Sequence, residues 1–79
     1  MPKRKWSALV GGRSHEVQVH WSRWTNSGHL AVDGNVVDAW GPSLFGPTKH
    51  FQIEGQPAIL QPTFTGFDLF VGGKKVPKR

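Results

Sequence analysis

A hairpin pattern occurs twice in the chain and constrains its fold more than any other feature. The segments LAVDGNVV at 30–37 and LFVGGKKV at 69–76 align with a constant offset of 39 residues. Asp33-Gly34 is a strong signal for a two-residue turn, because a type I′ turn needs positive φ at both central positions, and Gly72-Gly73 suits the same turn. The repeat predicts two structurally similar halves, each of which ends in a tight hairpin.

Alternation of apolar and polar residues runs through the rest of the chain. Residues 15–21, 50–54 and 66–71 each place apolar side chains at every second position, as half-buried antiparallel strands do. No window shows the helical spacing of apolar residues, and ten Gly and six Pro interrupt the chain at short intervals. Strands are predicted at 5–10, 15–22, 29–33, 35–40, 48–54, 57–63, 66–71 and 74–77.

Together these patterns predict an all-β protein, a small antiparallel β-sandwich of about eight short strands built from two meander-like halves. Further turns are expected at Gly11-Gly12, at Asn26-Ser27-Gly28 and at Gly55-Gln56-Pro57, and residues 41–47 read as the connector between the halves. A chain of 79 residues is expected to form one domain over 1–79. Trp40, just before Gly41-Pro42, is expected in the core.

The basic residues cluster at the two ends of the chain. The net charge is +5, and seven of the ten basic residues lie within 1–5 and 74–79, whereas residues 6–73 hold three basic and five acidic side chains. We predict that 1–5 and 74–79 are basic tails, solvated and without fixed structure. The alternative is that they bind the phosphates of nucleic acid. The residues concerned are Lys3, Arg4, Lys5, Lys74, Lys75, Lys78 and Arg79.

Several classes of protein are disfavoured by what the sequence lacks. There is no Cys for a disulfide or a thiolate, and no apolar run approaches the roughly 20 residues of a membrane span. The N-terminus is basic without a following apolar segment, so it does not read as a secretory signal. We predict a soluble cytoplasmic protein, with the nucleus as the alternative because PKRK at 2–5 resembles a nuclear-localisation cluster.

The histidines and hydroxyl residues do not form a catalytic or metal-binding pattern. His15 and His20 are five residues apart, so on one strand they face opposite sides; His29 and His50 would have to approach either of them from other strands. Ser27, His29 and Asp33 are close in sequence but lack the context of a nucleophile elbow or an oxyanion hole. We predict no enzymatic activity, no cofactor and no metal.

The segment WSRW at 21–24 is the strongest candidate for a binding site. Trp21 belongs to the inward-facing set of its strand, and Trp24 follows at the strand end with Arg23 beside it. Either both indoles close the end of the sandwich, or Trp24 is exposed and stacks on a partner side chain, a nucleobase or a sugar. We predict Trp21, Arg23 and Trp24 as partner-binding residues.

The order of several short motifs resembles the Fas apoptotic inhibitory molecule family over roughly residues 6–76. The motifs are, in order, His15-Glu16-Val17-Gln18-Val19-His20, Ser27-Gly28, Val32-Asp33-Gly34, Trp40 and Phe45, Phe51 to Gly55, Ala58-Ile59-Leu60, Gly66-Phe67 and Gly73-Lys74. The resemblance implies an antiparallel β-sandwich in a cytosolic, non-enzymatic, protein-interacting molecule. In animals that family opposes death-receptor signalling, and we do not carry that role over, because a fold does not fix a function.

The primary functional prediction is therefore a non-enzymatic protein-interaction module with an unknown partner, monomeric or weakly dimeric through an edge strand. The alternative is a weak, sequence-nonspecific nucleic-acid-binding domain that uses the basic tails and the Trp/Arg patch. Contact with carbohydrate through a Trp platform ranks last. No membrane partner is expected.

Overall fold

The computed structural model describes residues 3–42, 48–64 and 66–77. Within them the chain forms eight strands. These are β1 (Lys3–Val10), β2 (Arg13–Trp21), β3 (Gly28–Val32), β4 (Asn35–Trp40), β5 (Lys49–Ile53), β6 (Gln56–Thr63), β7 (Gly66–Val71) and β8 (Lys74–Val76). Each observed strand end lies within two residues of its prediction.

The strands form two four-stranded antiparallel sheets, with the orders β1-β2-β3-β4 and β5-β6-β7-β8. Each sheet is a simple meander, because every strand pairs with its neighbours in sequence. The predicted all-β sandwich of two meander-like halves is therefore confirmed. We call the first sheet A and the second sheet B.

Two-residue turns with positive φ at both positions close four of the six hairpins of the two meanders, β1–β2, β3–β4, β5–β6 and β7–β8. Asp33 and Gly34 have φ of 51° and 83°, as a type I′ turn requires, and Gly72 and Gly73 repeat these values at 59° and 83°. The turn between β5 and β6 is Glu54-Gly55 rather than the predicted Gly55-Gln56-Pro57. The prediction shifted by one residue because Glu54 adopts positive φ, 48°, a conformation that a sequence pattern assigns to glycine first.

The structure explains why the offset of 39 residues holds for the second hairpin of each half and not for the first. Asp33 and Gly72 are 39 residues apart, whereas the first turns of the two meanders, Gly11-Gly12 and Glu54-Gly55, are 43 apart. The β2–β3 connection spans residues 22–27, while only residues 64 and 65 separate β6 from β7. The longer connection in sheet A accounts for the difference of four residues.

The core lies between the inner faces of the two sheets. Alternate positions of β1, β2, β6 and β7 are buried, which is the period-two pattern expected of a sheet with one packed face. Trp6, Val17, Val19, Leu30, Leu60 and Leu69 are the largest fully buried side chains. Burial of one such aliphatic side chain stabilises the fold by about 1.5–3 kcal/mol. Trp40 is half-buried and packs against this core, in agreement with its prediction.

The sheets also meet along their edges. β1 contacts β7 and β8 on one side. On the other side Lys49 of β5 forms an ion pair with Asp38 of β4, with 3.5 Å between Nζ and Oδ2, and the same Nζ lies 5.9 Å from the Trp40 ring centroid. These contacts join the edge strands of the two sheets on both sides of the sandwich. Residues of both sheets therefore lie together at each of its ends.

The predicted basic tails need one correction. β1 begins at Lys3, two residues before its predicted start, so Lys3, Arg4 and Lys5 pair with β2 instead of lying in a tail. Lys74 and Lys75 pair with β7 as part of β8, which the strand predicted at 74–77 already contained. Alternation alone did not extend β1 over Lys3 and Arg4, because charged side chains give no apolar signal. Phe45, most of the predicted connector, Lys78 and Arg79 fall outside the described residues.

Candidate functional site

A cleft of about 440 Å³ opens at the end of the sandwich where β1 and β7 begin and β2 and β6 end. We call it the basic cleft. Three cationic side chains line it, those of Lys3, Arg4 and Arg23, and no Asp or Glu does so within the described chain. The remaining lining residues are Trp21, Asn26, Pro62, Thr63, Phe64, Gly66 and Phe67.

The floor of the basic cleft is aromatic and rigid. Trp21 is only 9% exposed and meets Phe67 edge-on, with ring centroids 5.2 Å apart. Trp40 packs on the other side of Phe67 at 5.8 Å, and its indole N–H donates a 2.7 Å hydrogen bond to the Asn26 carbonyl. Trp21 therefore supports the site from below and offers a partner little surface of its own.

Arg4 is a cation held inside the sandwich end. It alternates with Trp6 on the inward side of β1 and is half-buried. A Cβ added at Gly66 would lie 3.4 Å from the Arg4 Nε and 3.1 Å from the Trp21 ring. The absence of a side chain at Gly66 thus lets the guanidinium group lie against the aromatic floor, which fixes its position in the basic cleft.

Two aromatic side chains at this end are almost fully exposed. Trp24 is 95% exposed, and Phe64 is fully exposed. Trp24 and Arg23 belong to the loop 22–27, which is ordered by hydrogen bonds from Ser22 N to the Ser27 carbonyl and from Asn26 N to the Ser22 carbonyl, both of 2.8 Å. Aromatic rings that are exposed in the free protein are enriched at surfaces that bind a partner.

Three other predicted nucleic-acid residues, Lys5, Lys74 and Lys75, do not line the basic cleft. Lys5 lies on the outer face of sheet A, and Lys74 and Lys75 follow the turn at the opposite end of sheet B. Lys75 forms a 3.6 Å ion pair with Asp68. Of the predicted partner-binding residues, Trp21 and Arg23 line the cleft, and Trp24 neighbours Arg23 in the same loop.

A second cluster of polar groups lies at the opposite end, which we call the turn end. His15 is 14% exposed and contacts two carboxylates, with Nδ1 2.7 Å from Asp33 Oδ2 and Nε2 2.5 Å from Glu54 Oε2. The hydrogen bonds that His15 donates to Asp33 and Glu54 raise the pKa of His15, and the bonds that Asp33 accepts from His15 and from the Glu16 amide lower the pKa of Asp33. Because the imidazole nitrogens point in opposite directions, this cluster ties elements together and does not converge on one ion.

His20 lies on the opposite face of sheet A from His15, as the sequence predicted for these two residues. His20 and His29 are cross-strand neighbours on the outer face of sheet A, with ring centroids 5.0 Å apart and an interplanar angle of 10°. Burial lowers the pKa of His20, and His29, Lys3 and Lys5 lower it further. Groups of three or more potential metal ligands are absent from the described residues.

The residues Ser27, His29 and Asp33 do not assemble into a catalytic trio. The Ser27 hydroxyl bonds Thr25 Oγ1 at 2.7 Å, His29 stacks on His20, and Asp33 binds His15 at the turn end. Their neighbours in space are thus three different groups, although they are neighbours in sequence.

Sequence reasoning missed Phe64 as a candidate site residue and assigned Arg4 to a tail. Phe64 could have been found from the repeat itself. β2 and β6 are the second strands of the two meanders, so the residue that follows β6 lies at the same end as WSRW. Arg4 could not have been placed by this reasoning, since its position depends on the close approach of Gly66 from the other sheet.

No helix long and apolar enough to cross a membrane is found in the described part of the chain. Comparisons of the chain with protein-family models, with curated proteins and with solved structures give no match.

Proposed function

We propose that this chain is a small, non-enzymatic binding module whose basic cleft binds single-stranded nucleic acid without sequence preference. One observation supports the proposal most. Lys3, Arg4 and Arg23 come together at one end of the sandwich, beside the exposed rings of Trp24 and Phe64 and without a carboxylate among the described lining residues.

This combination matches the chemistry of a single strand. Lysine and arginine bind its phosphates, and base–aromatic stacking contributes about 1–3 kcal/mol per base irrespective of sequence. The sequence argued against such a role, because its basic residues read as tails around an acidic body. Lys3 and Arg4 lie instead within β1, which gives the folded part a cationic surface with aromatic groups next to it.

Anisotropy titrations with labelled single-stranded oligonucleotides of about 10 residues test the proposal. If three phosphates are neutralised, affinity falls about twentyfold between about 50 and about 200 mM salt. Arg23→Gln and Trp24→Ala weaken binding, and Arg13→Gln, the matched loss of charge at the turn end, leaves it unchanged. Absence of binding at low salt overturns the proposal, and so does equal affinity for polyglutamate of the same charge.

A protein-interaction module, as the resemblance to the Fas apoptotic inhibitory molecule family implies, is the second candidate. The observation in its favour is β4, an edge strand of sheet A on which Val36 and Val37 are 61% and 51% exposed. Exposed edge strands can accept an added strand from a partner or from a second copy. Sedimentation equilibrium tests the homodimeric form of this candidate. A dimer that Val36→Lys dissociates supports it, and a strict monomer at high concentration counts against it.

A further inference from the structure

A row of basic side chains continues from the basic cleft onto the outer face of sheet A. Lys3 of β1 is the register partner of His20 of β2, and His20 is the register partner of His29 of β3. We call these three residues the histidine row. Since neighbouring strands are about 4.8 Å apart, the row is about 10 Å long. Lys3 belongs both to the row and to the cleft, so the two surfaces are continuous.

The two imidazoles of the row lie face to face, and one of them is hydrogen-bonded to a neighbouring amide. Their rings stack at 5.0 Å and nearly parallel, which brings two positive charges together if both are protonated. The Gln18 side-chain amide lies 2.6 Å from His20 Nε2, and an amide nitrogen only donates, so this His20 nitrogen accepts. In the free protein His20 therefore takes up a proton reluctantly, in line with its lowered pKa.

Burial and, after it, the charges that face the row explain this reluctance. Lys3 and Lys5 approach from β1, and the group opposite His29 on β4 is uncharged Ala39. Gln18 lies next to His20 along β2, and the acidic residue of that face, Glu16, lies farther along β2 opposite Ser7. Burial and the charges of His29, Lys3 and Lys5 lower the pKa of His20. A negative group on the row would reverse the electrostatic part of this effect.

We propose that the histidine row is a second phosphate-binding surface, which extends the basic cleft and contacts the same nucleic-acid strand more strongly at acidic pH. The inference rests on the proposed nucleic-acid binding by the cleft. Phosphate binding and proton uptake are linked, because each makes the other more favourable by the same factor. The cleft itself uses only Lys and Arg, which keep their charge throughout this pH range.

The first experiment measures oligonucleotide affinity at about pH 8 and about pH 5.5 at constant ionic strength. A rise of up to about tenfold at the lower pH is expected if binding raises the pKa of one imidazole by about one unit, because the full factor is reached only below both pKa values. His20→Gln with His29→Gln removes this rise, because neither replaced side chain takes up a proton. His50→Gln, which alters an exposed histidine of sheet B, retains the rise.

The results separate the two proposals. Binding that is equal at both pH values, or a rise that survives in the double variant, overturns the histidine row and leaves the cleft proposal standing. Absence of binding at both pH values overturns both. An NMR titration of the unmodified protein gives a check that does not depend on the folding of a variant. Bound oligonucleotide should raise the pKa of His20, and an unchanged His20 pKa overturns the row.

Discussion

His15 and Glu54 join the two sheets at the turn end of the sandwich. His15 extends the inward-facing row of β2 in sheet A, and Glu54 is the first turn residue of the β5–β6 hairpin in sheet B. Their Nε2 and Oε2 atoms are 2.5 Å apart, and the second ring nitrogen binds Asp33. With both carboxylates ionised, both ring nitrogens must donate, so His15 is an imidazolium that holds one turn from each sheet.

This cluster predicts a bell-shaped dependence of stability on pH. The folded pKa of His15 is raised above 6.5, so its contribution is complete below that value and is lost as pH rises through the folded pKa. The folded pKa of Asp33 is lowered below 3.8, so its contribution is present above 3.8 and is lost as pH falls through the folded pKa. Urea unfolding should show the contribution of these two groups to be largest between pH 3.8 and 6.5.

The variant Glu54→Gln isolates the inter-sheet half of the cluster. The amide keeps the size of the carboxylate and removes its charge, so the pKa of His15 should fall towards its ordinary value. NMR titration of the His15 ring protons measures this shift. His50 provides the internal control, and a His15 pKa that does not move in the variant would contradict the ion pair with Glu54.

Gly28 is predicted to be intolerant of any side chain. A Cβ there would lie 2.2 Å from the His20 carbonyl oxygen and 3.0 Å from both the Trp21 Cα and the Trp40 ring. Gly28→Ala should therefore destabilise the fold by about 3 kcal/mol, at the upper end of the cost of overpacking. Gly41→Ala is the control, because nothing lies within 4 Å of the added Cβ, and chemical denaturation should find it near neutral.

Leu60 and Leu9 form a second matched pair. Leu60 is fully buried between the sheets, so Leu60→Ala leaves a cavity and costs about 2–5 kcal/mol. Leu9 is 77% exposed on the outer side of β1, and Leu9→Ala should change the free energy of unfolding by less than about 0.5 kcal/mol. Equal losses in denaturant unfolding would contradict the assignment of the inner and outer faces.

Trp24 should dominate the fluorescence that iodide can quench. Of the four Trp residues, Trp6 and Trp21 are buried, Trp40 is half-buried, and Trp24 is 95% exposed. Trp24→Phe should remove most of the quenchable emission, whereas Trp40→Phe should not. If nucleic acid stacks on Trp24, a saturating oligonucleotide should protect it from iodide, and unchanged quenching would contradict this contact.

The elements of this fold could be predicted from local sequence because each strand carries its own signal. Val17, Val19 and Trp21 alternate with polar residues, and Asp33-Gly34 specifies a turn of known hand and length. Such signals depend on neighbours along the chain. Where the local signal is weak, as at the basic start of β1 and at the left-handed Glu54, the predicted boundaries moved by one or two residues.

The candidate site was predicted only in part. WSRW was found because a tryptophan next to an arginine indicates a candidate binding site wherever the pair lies in the fold. Arg4 and Gly66 gave no such signal, because their importance comes from the close approach of the two sheets at the end of the sandwich.

The sequence by itself determined eight strands, three of the four tight turns and two similar halves, since periodicity and turn chemistry act over a few residues. Only the tertiary structure decided which ends of the meanders meet. That choice places three cations on an aromatic floor at one end and His15 between two carboxylates at the other. The physical reason is that side-chain electrostatics and packing act through space, between residues as far apart in sequence as His15 and Glu54 or Arg4 and Gly66.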